Sequence, residues 1–201
     1  MTKPKILFIV GPAGAGKTTL AKALARSSRT PLFDMDTLLR PAAETIMTIS
    51  GLDPNDRDSP VYKTYCRDLG YRITMDAVLE NTQLGLDALV VGPFTRETAD
   101  PQWPEQELAR IEATLQDVDL KVISVYLPDD GDYRERIQQR ASILDVWKLD
   151  NWDNFRPSLG RRTIQWPVPS SALLEFDNSG PLTPDKLAAV TQFTFGTSHA
   201  P

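Results

Sequence analysis

Residues 6–18 read Ile-Leu-Phe-Ile-Val-Gly-Pro-Ala-Gly-Ala-Gly-Lys-Thr, and this stretch decides the fold. Ile6 to Val10 is an apolar run of five residues, rich in β-branched side chains, bounded by a glycine turn. Such a run predicts a strand buried on both faces, as in a parallel sheet. Beyond the glycines, Leu20, Ala21, Leu24 and Ala25 recur at helical spacing over Thr18 to Ser27. The opening unit is therefore strand, glycine loop, helix. Three of the eleven glycines, Gly11, Gly14 and Gly16, fall within six residues. A loop of this composition can turn successive backbone N–H groups inward around an oxyanion, and the helix behind it adds its positive end. Side chains at Gly11 or Gly16 are expected to fill space that phosphates need. The plain alternative is a glycine-rich turn before an ordinary helix.

Outward from this unit, strands and helices alternate. Pro31 to Asp34 reads as a second strand, followed by a helical stripe of Leu38, Leu39, Ala42, Ala43, Ile46 and Met47. Pro41 is compatible with that helix near its first turn. Residues 51–60 form a solvated connector; their acids lack the spacing of a calcium loop. Tyr62, Tyr65, Cys66, Leu69, Ile73 and Ala77 trace one face of a long helix over Val61 to Asn81. Leu86 to Val91 is the third strand. Pro104 opens a helix with Leu108, Ile111 and Leu115 as its buried edge. Lys121 to Leu127 is the fourth strand, with a helix from Gly131 to about Leu144. An irregular tract with Trp147, Trp152 and Trp166 precedes the fifth strand, Ala172 to Phe176. Thr183-Pro184 starts the last helix as cap and first position. This alternation predicts a three-layer α/β sandwich around a five-stranded parallel sheet.

Composition narrows the partners. The 201 residues carry 22 Lys+Arg against 27 Asp+Glu, a formal charge of −5. That balance argues against a nucleic-acid or anionic-membrane partner, because both need a basic face. Cys66 is the single cysteine, which leaves no intrachain disulfide or cysteine-based zinc site. It sits on the apolar helix face and reads as core. The first apolar run is too short for a signal peptide or a membrane span, so the expected location is cytoplasmic.

Gly11-Pro12-Ala13-Gly14-Ala15-Gly16-Lys17-Thr18 matches GxxxxGK(S/T) in full, between a predicted strand and helix. It is the P-loop pattern, in which Lys17 reaches the β- and γ-phosphates of ATP and the Thr18 hydroxyl ligates Mg²⁺. Thr19 follows at the same helix start. No NKxD guanine-reading motif occurs, which disfavours a GTPase. The third strand ends Val91-Gly92-Pro93, without the acid that motor and transport ATPases usually place there.

The chain resembles the small-molecule kinases of the P-loop class, the group with gluconate and shikimate kinases, chloramphenicol phosphotransferase and zeta-toxin-like kinases. The P-loop, Phe33-Asp34-Met35-Asp36-Thr37 after the second strand, and an arginine-bearing helix before a variable segment carry the resemblance. It implies that an acid just past the second strand faces the acceptor hydroxyl. Asp36, nearer the mouth, is placed as base ahead of Asp34, which strand alternation puts on the same side. The alternative is that Asp36 only caps a helix starting near Leu38. From Arg134 to Arg162 there are seven basic residues and four acids, a local excess of three positive charges. The resemblance places a phosphate-closing lid here. Arg136 and Arg140 share one helix face, and Arg140 is the expected γ-phosphate clamp. The turn at Asn178 would lie against the adenine. Arg96, past the third strand, is a candidate for an acceptor's polar group, with a surface pair to Glu97 or Asp100 as its alternative. The lid tryptophans either cover substrate or pack the lid.

Together these imply a kinase domain over 1–194, with acceptor-binding helices at about 37–81, a lid at about 140–169 and a frayed tail over 195–201. The activity implied is ATP-dependent phosphoryl transfer to a hydroxyl of a small molecule. A zeta-toxin-type nucleotide-sugar or polynucleotide kinase and a non-catalytic ATP-gated binding protein are the competing readings. Oligomeric state is open.

Overall fold

A computed structural model of the chain describes residues 3–196. Its five strands are β1 (Lys5–Val10), β2 (Leu32–Asp34), β3 (Ala88–Val91), β4 (Asp119–Tyr126) and β5 (Leu173–Asp177). They form one parallel sheet in the order β2-β3-β1-β4-β5. The helices are α1 (Lys17–Ser28), α2 (Met35–Ile49), α3 (Arg67–Gln83), α4 (Trp103–Ala109), α5 (Asp130–Gln139), α6 (Val146–Asp150), α7 (Trp152–Phe155) and α8 (Pro184–Phe195). This is the expected three-layer α/β sandwich, with the architecture of P-loop NTPases.

Alternation along β1 divides the core. Ile6, Phe8 and Val10 face one layer with Met75 and Val78 of α3, Leu108 of α4, and Trp166. Leu7 and Ile9 face the other, against Leu20 and Leu24 of α1, Tyr133 of α5 and Val190 of α8. Each large apolar side chain buried this way contributes roughly 1.5–3 kcal/mol. The chain leaves β1 toward β3 and β2 and returns past it to β4, which puts the glycine loop at the topological switch point, where such sheets bind ligands.

Three local expectations are corrected. α2 starts at Met35, three residues before Leu38, because the Asp34 carboxylate accepts from the backbone N–H groups of Asp36 and Thr37. Pro41 therefore lies inside the helix and not in its first turn. The face predicted for α3 is displaced by one residue: Gly70, Thr74 and Val78 are buried, whereas Tyr65 is exposed. A π-helical turn at Tyr62–Cys66 accounts for this, since its wider turn rotates the face that follows. α4 ends at Ala109, so Ile111 and Leu115 pack from the turns after it.

Trp166 proves to be core. Its ring packs edge-on to Phe8 at 4.9 Å and stacks on Trp103 at 5.3 Å. Phe195, placed in the frayed tail by sequence, is the last residue of α8, and Gly196 is its C-cap. The rest of the expected tail, residues 197–201, lies outside the described residues. Among the described residues no helix is long and apolar enough to cross a membrane.

Candidate active site

The loop Gly11 to Gly16 joins β1 to α1 at the floor of a cleft of about 690 Å³, within the range of small-ligand pockets. Lys17, Thr18 and Thr19 line it with Asp34, Asp36 and Arg140. The first turn of α1 differs from those of α2, α5 and α8. Side chains of Asp34, Asp129 and Thr183 cap α2, α5 and α8. Helix α1 begins at Gly16 with φ 92° and no side-chain cap. Its orphan N–H groups are left to whatever enters the cleft, the arrangement an anion needs.

The fold itself gives a reason for the glycines. A Cβ on Gly11 would lie 2.2 Å from the Val125 carbonyl oxygen, and one on Gly16 would lie 2.2 Å from the Asn178 side-chain nitrogen. Protein packing around the loop by itself excludes a side chain at either position. The Ala15 N–H donates to the Pro12 carbonyl at 3.4 Å, and the Asn178 side chain donates to the Ala15 carbonyl at 2.7 Å. Asn178 is buried, lines the same cleft and braces the loop. Arg136 holds this brace by donating to the Asn178 carbonyl at 2.6 Å and the Gly180 carbonyl at 3.1 Å.

Lys17 folds back over the loop and donates to the Pro12 carbonyl at 2.8 Å. Burial pushes its ammonium down to about 8; Asp36 opposes this, Arg162 and Arg140 add to it, and Asp34 opposes it again. The Thr18 hydroxyl donates to the Asp34 carboxylate at 3.0 Å. Asp34 thus braces two helix starts. Asp36, in the first turn of α2, is exposed at the cleft mouth. The two acids do not continue one strand; the cap turns the chain between them.

Thr18 and Asp34 present a hydroxyl and a carboxylate side by side, an all-oxygen donor set that suits Mg²⁺. Among the described residues no group of three or more His, Cys, Asp or Glu could hold a metal. Mg²⁺ needs no such cage, because it takes one or two protein oxygens together with phosphates and water.

Arg140 closes α5 and lines the cleft, paired through Nε and Nη2 with the carboxylate of Asp145. Lys148 also lines the cleft and donates to Asp145 at 2.6 Å. Much of the local positive excess is engaged elsewhere. Arg134 lies over the Trp152 ring at 5.5 Å, Arg161 over Tyr126 at 3.6 Å, and Arg156 faces Asp130 at 3.4 Å. Arg162 donates to the Gly160 carbonyl at 2.9 Å, and burial pushes its guanidinium below its usual value. Arg96 is exposed and does not line the cleft; its backbone N–H donates to the Glu97 carboxylate at 3.1 Å.

Sequence reasoning missed Lys148, Asp145 and Gln139. Lys148 was present in the charge count, and its place three residues after Asp145 was the available signal.

The family model described as an AAA domain matches residues 6–158, most of the chain and the whole P-loop. The chain belongs to the AAA domain family. Among solved structures, this AAA domain is similar to a candidate kinase from Chloroflexus aurantiacus, at 19% identity over all of both chains with a TM-score of 0.69. It is similar to a sugar kinase from a Janibacter species, at 14% identity over 95% of this chain and 94% of that one, TM-score 0.58. A tunicamycin resistance protein from Deinococcus radiodurans shares 18% identity over 99% of each chain, TM-score 0.57. At these identities the likeness is one of fold. Comparison with curated proteins gives no match.

Proposed function

We propose that this AAA domain is a phosphotransferase that moves the γ-phosphate of ATP to a hydroxyl of a small-molecule acceptor. The observation that carries the reading is a single cleft in which the uncapped start of α1, Lys17 and the exposed Asp36 stand together. Two of the similar structures are described as a candidate kinase and a sugar kinase, which supports the reaction class.

In this reading residues 1–194 act as one kinase domain. The triphosphate lies on Gly11 to Thr18, its charge met by the N–H groups of α1 and by Lys17. Arg140 contacts the γ-phosphate from the segment 140–169, which serves as a lid. Thr18 and Asp34 would hold Mg²⁺, which would supply charge neutralisation for the phosphates. The acceptor enters along the helices of residues 37–81. Asp36 takes the acceptor's hydroxyl proton as that oxygen forms its bond to the γ-phosphorus. The bond to the β,γ-bridging oxygen breaks, and its electron pair leaves with ADP. Little covalent work is asked of the protein, so positioning and charge carry the catalysis. Lid closure excludes water, which would otherwise compete as acceptor. Asn178 acts by holding the loop, and Arg96 has no part in the step.

The test is incubation with MgATP and a panel of metabolite and antibiotic alcohols. ADP and a phosphorylated acceptor should appear in equal amounts. Full transfer activity in Lys17→Ala would sink the assignment.

A further inference from the structure

Asp145 ends the 3₁₀ turn Ile143–Asp145 that follows α5, and its side chain is 1% exposed. One carboxylate oxygen accepts from Arg140 Nε; the other accepts from Arg140 Nη2 and, at 2.6 Å, from Lys148 Nζ. Both cations line the phosphate-loop cleft, whereas Asp145 does not. A buried acid that only stapled the turn would need no such arrangement, and a buried ion pair is weak evidence of stabilisation in itself.

Donor accounting shows what is left over. A guanidinium has five N–H donors in a fixed fork, and Asp145 engages two of them, leaving three. The Lys148 ammonium has three donors, of which Asp145 and the Leu144 carbonyl at 3.1 Å take two. Each cation is thus held on its buried side with donors to spare. Two positive charges against one negative leave the wall with a net positive charge. Burial alone would raise the Asp145 carboxyl, but the hydrogen bonds and charges of Arg140 and Lys148 hold it below the usual carboxylate value. It stays ionised at neutral pH, and like-charge repulsion keeps it from contacting a phosphate directly.

We propose that Asp145 is a positioning residue that sets the Arg140 guanidinium and the Lys148 ammonium for the terminal phosphate of a nucleoside triphosphate. This rests on the reading of the cleft as a triphosphate site, but not on any acceptor. Arginine suits the role because its planar fork bonds a carboxylate on one edge and phosphate oxygens on the other. The consequence is selectivity for ATP over ADP, since ADP has the phosphates that the loop grips but not the one the two cations reach.

Calorimetric binding of MgATP and MgADP to the full chain tests this without any turnover. The wild type should bind ATP more tightly than ADP. Asp145→Asn should lower the ratio of ATP to ADP affinity by about tenfold, the effect of losing one well-set charged hydrogen bond. ADP affinity should stay within about twofold, because the loop is untouched. Asp145→Glu keeps the charge but moves the guanidinium by a methylene, and it should also lower the ratio, by at least about threefold. It decides the question if Asp145→Asn loses native near-ultraviolet circular dichroism. A wild type without preference for ATP, or folded variants with the wild-type ratio, overturns the proposal. So does a parallel fall in both affinities, the mark of a merely structural acid. If the wild type binds both nucleotides and phosphorylates nothing, the proposed function fails and this inference stands.

Discussion

The Thr18 hydroxyl donates to the Asp34 carboxylate at 3.0 Å, and the other oxygen of that carboxylate accepts from the Asp36 N–H at 3.0 Å. One buried acid thereby joins the start of α1, where the phosphates are to sit, to the start of α2, which carries Asp36. Its charge and its capping geometry are separable.

Asp34→Asn should separate them. Asparagine caps a helix about as well as aspartate, so thermal stability should change by less than about 1 kcal/mol. The anionic oxygen beside Thr18 is lost, and the Mg²⁺ concentration for half-maximal transfer should rise by about tenfold. A magnesium titration of initial rates checks this. An unchanged titration would remove Asp34 from the metal's surroundings.

Gly16→Ala should destabilise by about 2 kcal/mol or more, from backbone strain at φ 92° and the collision with Asn178. Asn178→Ala leaves the Ala15 carbonyl without its partner and should cost about 1–3 kcal/mol. The double variant should cost less than the two together, because removing the Asn178 amide relieves the collision. Urea unfolding of the three proteins measures the coupling.

Lys17 gives a pH signature. With its ammonium at about 8 in the free protein, nucleotide binding must be accompanied by proton uptake as pH passes that value. The charged form binds phosphate, so affinity is full below about 8 and lost above it. Between pH 7.5 and 9, ATP affinity should fall by roughly tenfold in the wild type. In Lys17→Met it should be weak and flat over the same range. Calorimetry in buffers of different ionisation enthalpy would count the protons directly.

Trp166→Phe should destabilise the fold by about 1–2 kcal/mol, because the indole N–H donates to the Glu97 carbonyl at 2.7 Å and phenylalanine leaves that oxygen unpaired. Nucleotide affinity should be unaffected, since the ring lies in the core with Phe8 and Trp103. Chemical denaturation paired with a binding titration distinguishes this from a substrate-covering role.

The parallel sheet and the phosphate loop were legible because each rests on local signals: apolar runs buried on both faces, and a fixed spacing of glycines, lysine and threonine. The face of α3 was not, because one π-turn at Tyr62–Cys66 shifts every position after it, and no residue type marks such a turn. Asp34 and Asp36 were placed on one side of an extended strand, with Asp36 nearer the mouth. Both line the cleft, but only the three-dimensional cap shows that Asp34 is buried and holds the start of α2 while Asp36 is exposed. The positive excess of 134–162 was countable, but its use was not. Asp145, one of three acids in the irregular tract, pairs with two of those charges, and no residue type marks it as the buried one. The Asn178 side chain lines the cleft and donates to the Ala15 carbonyl, 163 residues away in sequence, a contact no local signal reports.

The most direct measurement is product analysis by mass spectrometry after incubation of wild type and Asp36→Asn with MgATP and the acceptor panel, both proteins first shown to bind ATP equally. The wild type should yield a phosphorylated acceptor with one ADP for each. Asp36→Asn should yield the same product at least about a hundredfold more slowly, as expected for the loss of a general base. A wild-type rate in Asp36→Asn, or ATP binding by the wild type with no phosphorylated acceptor, would contradict phosphoryl transfer through Asp36.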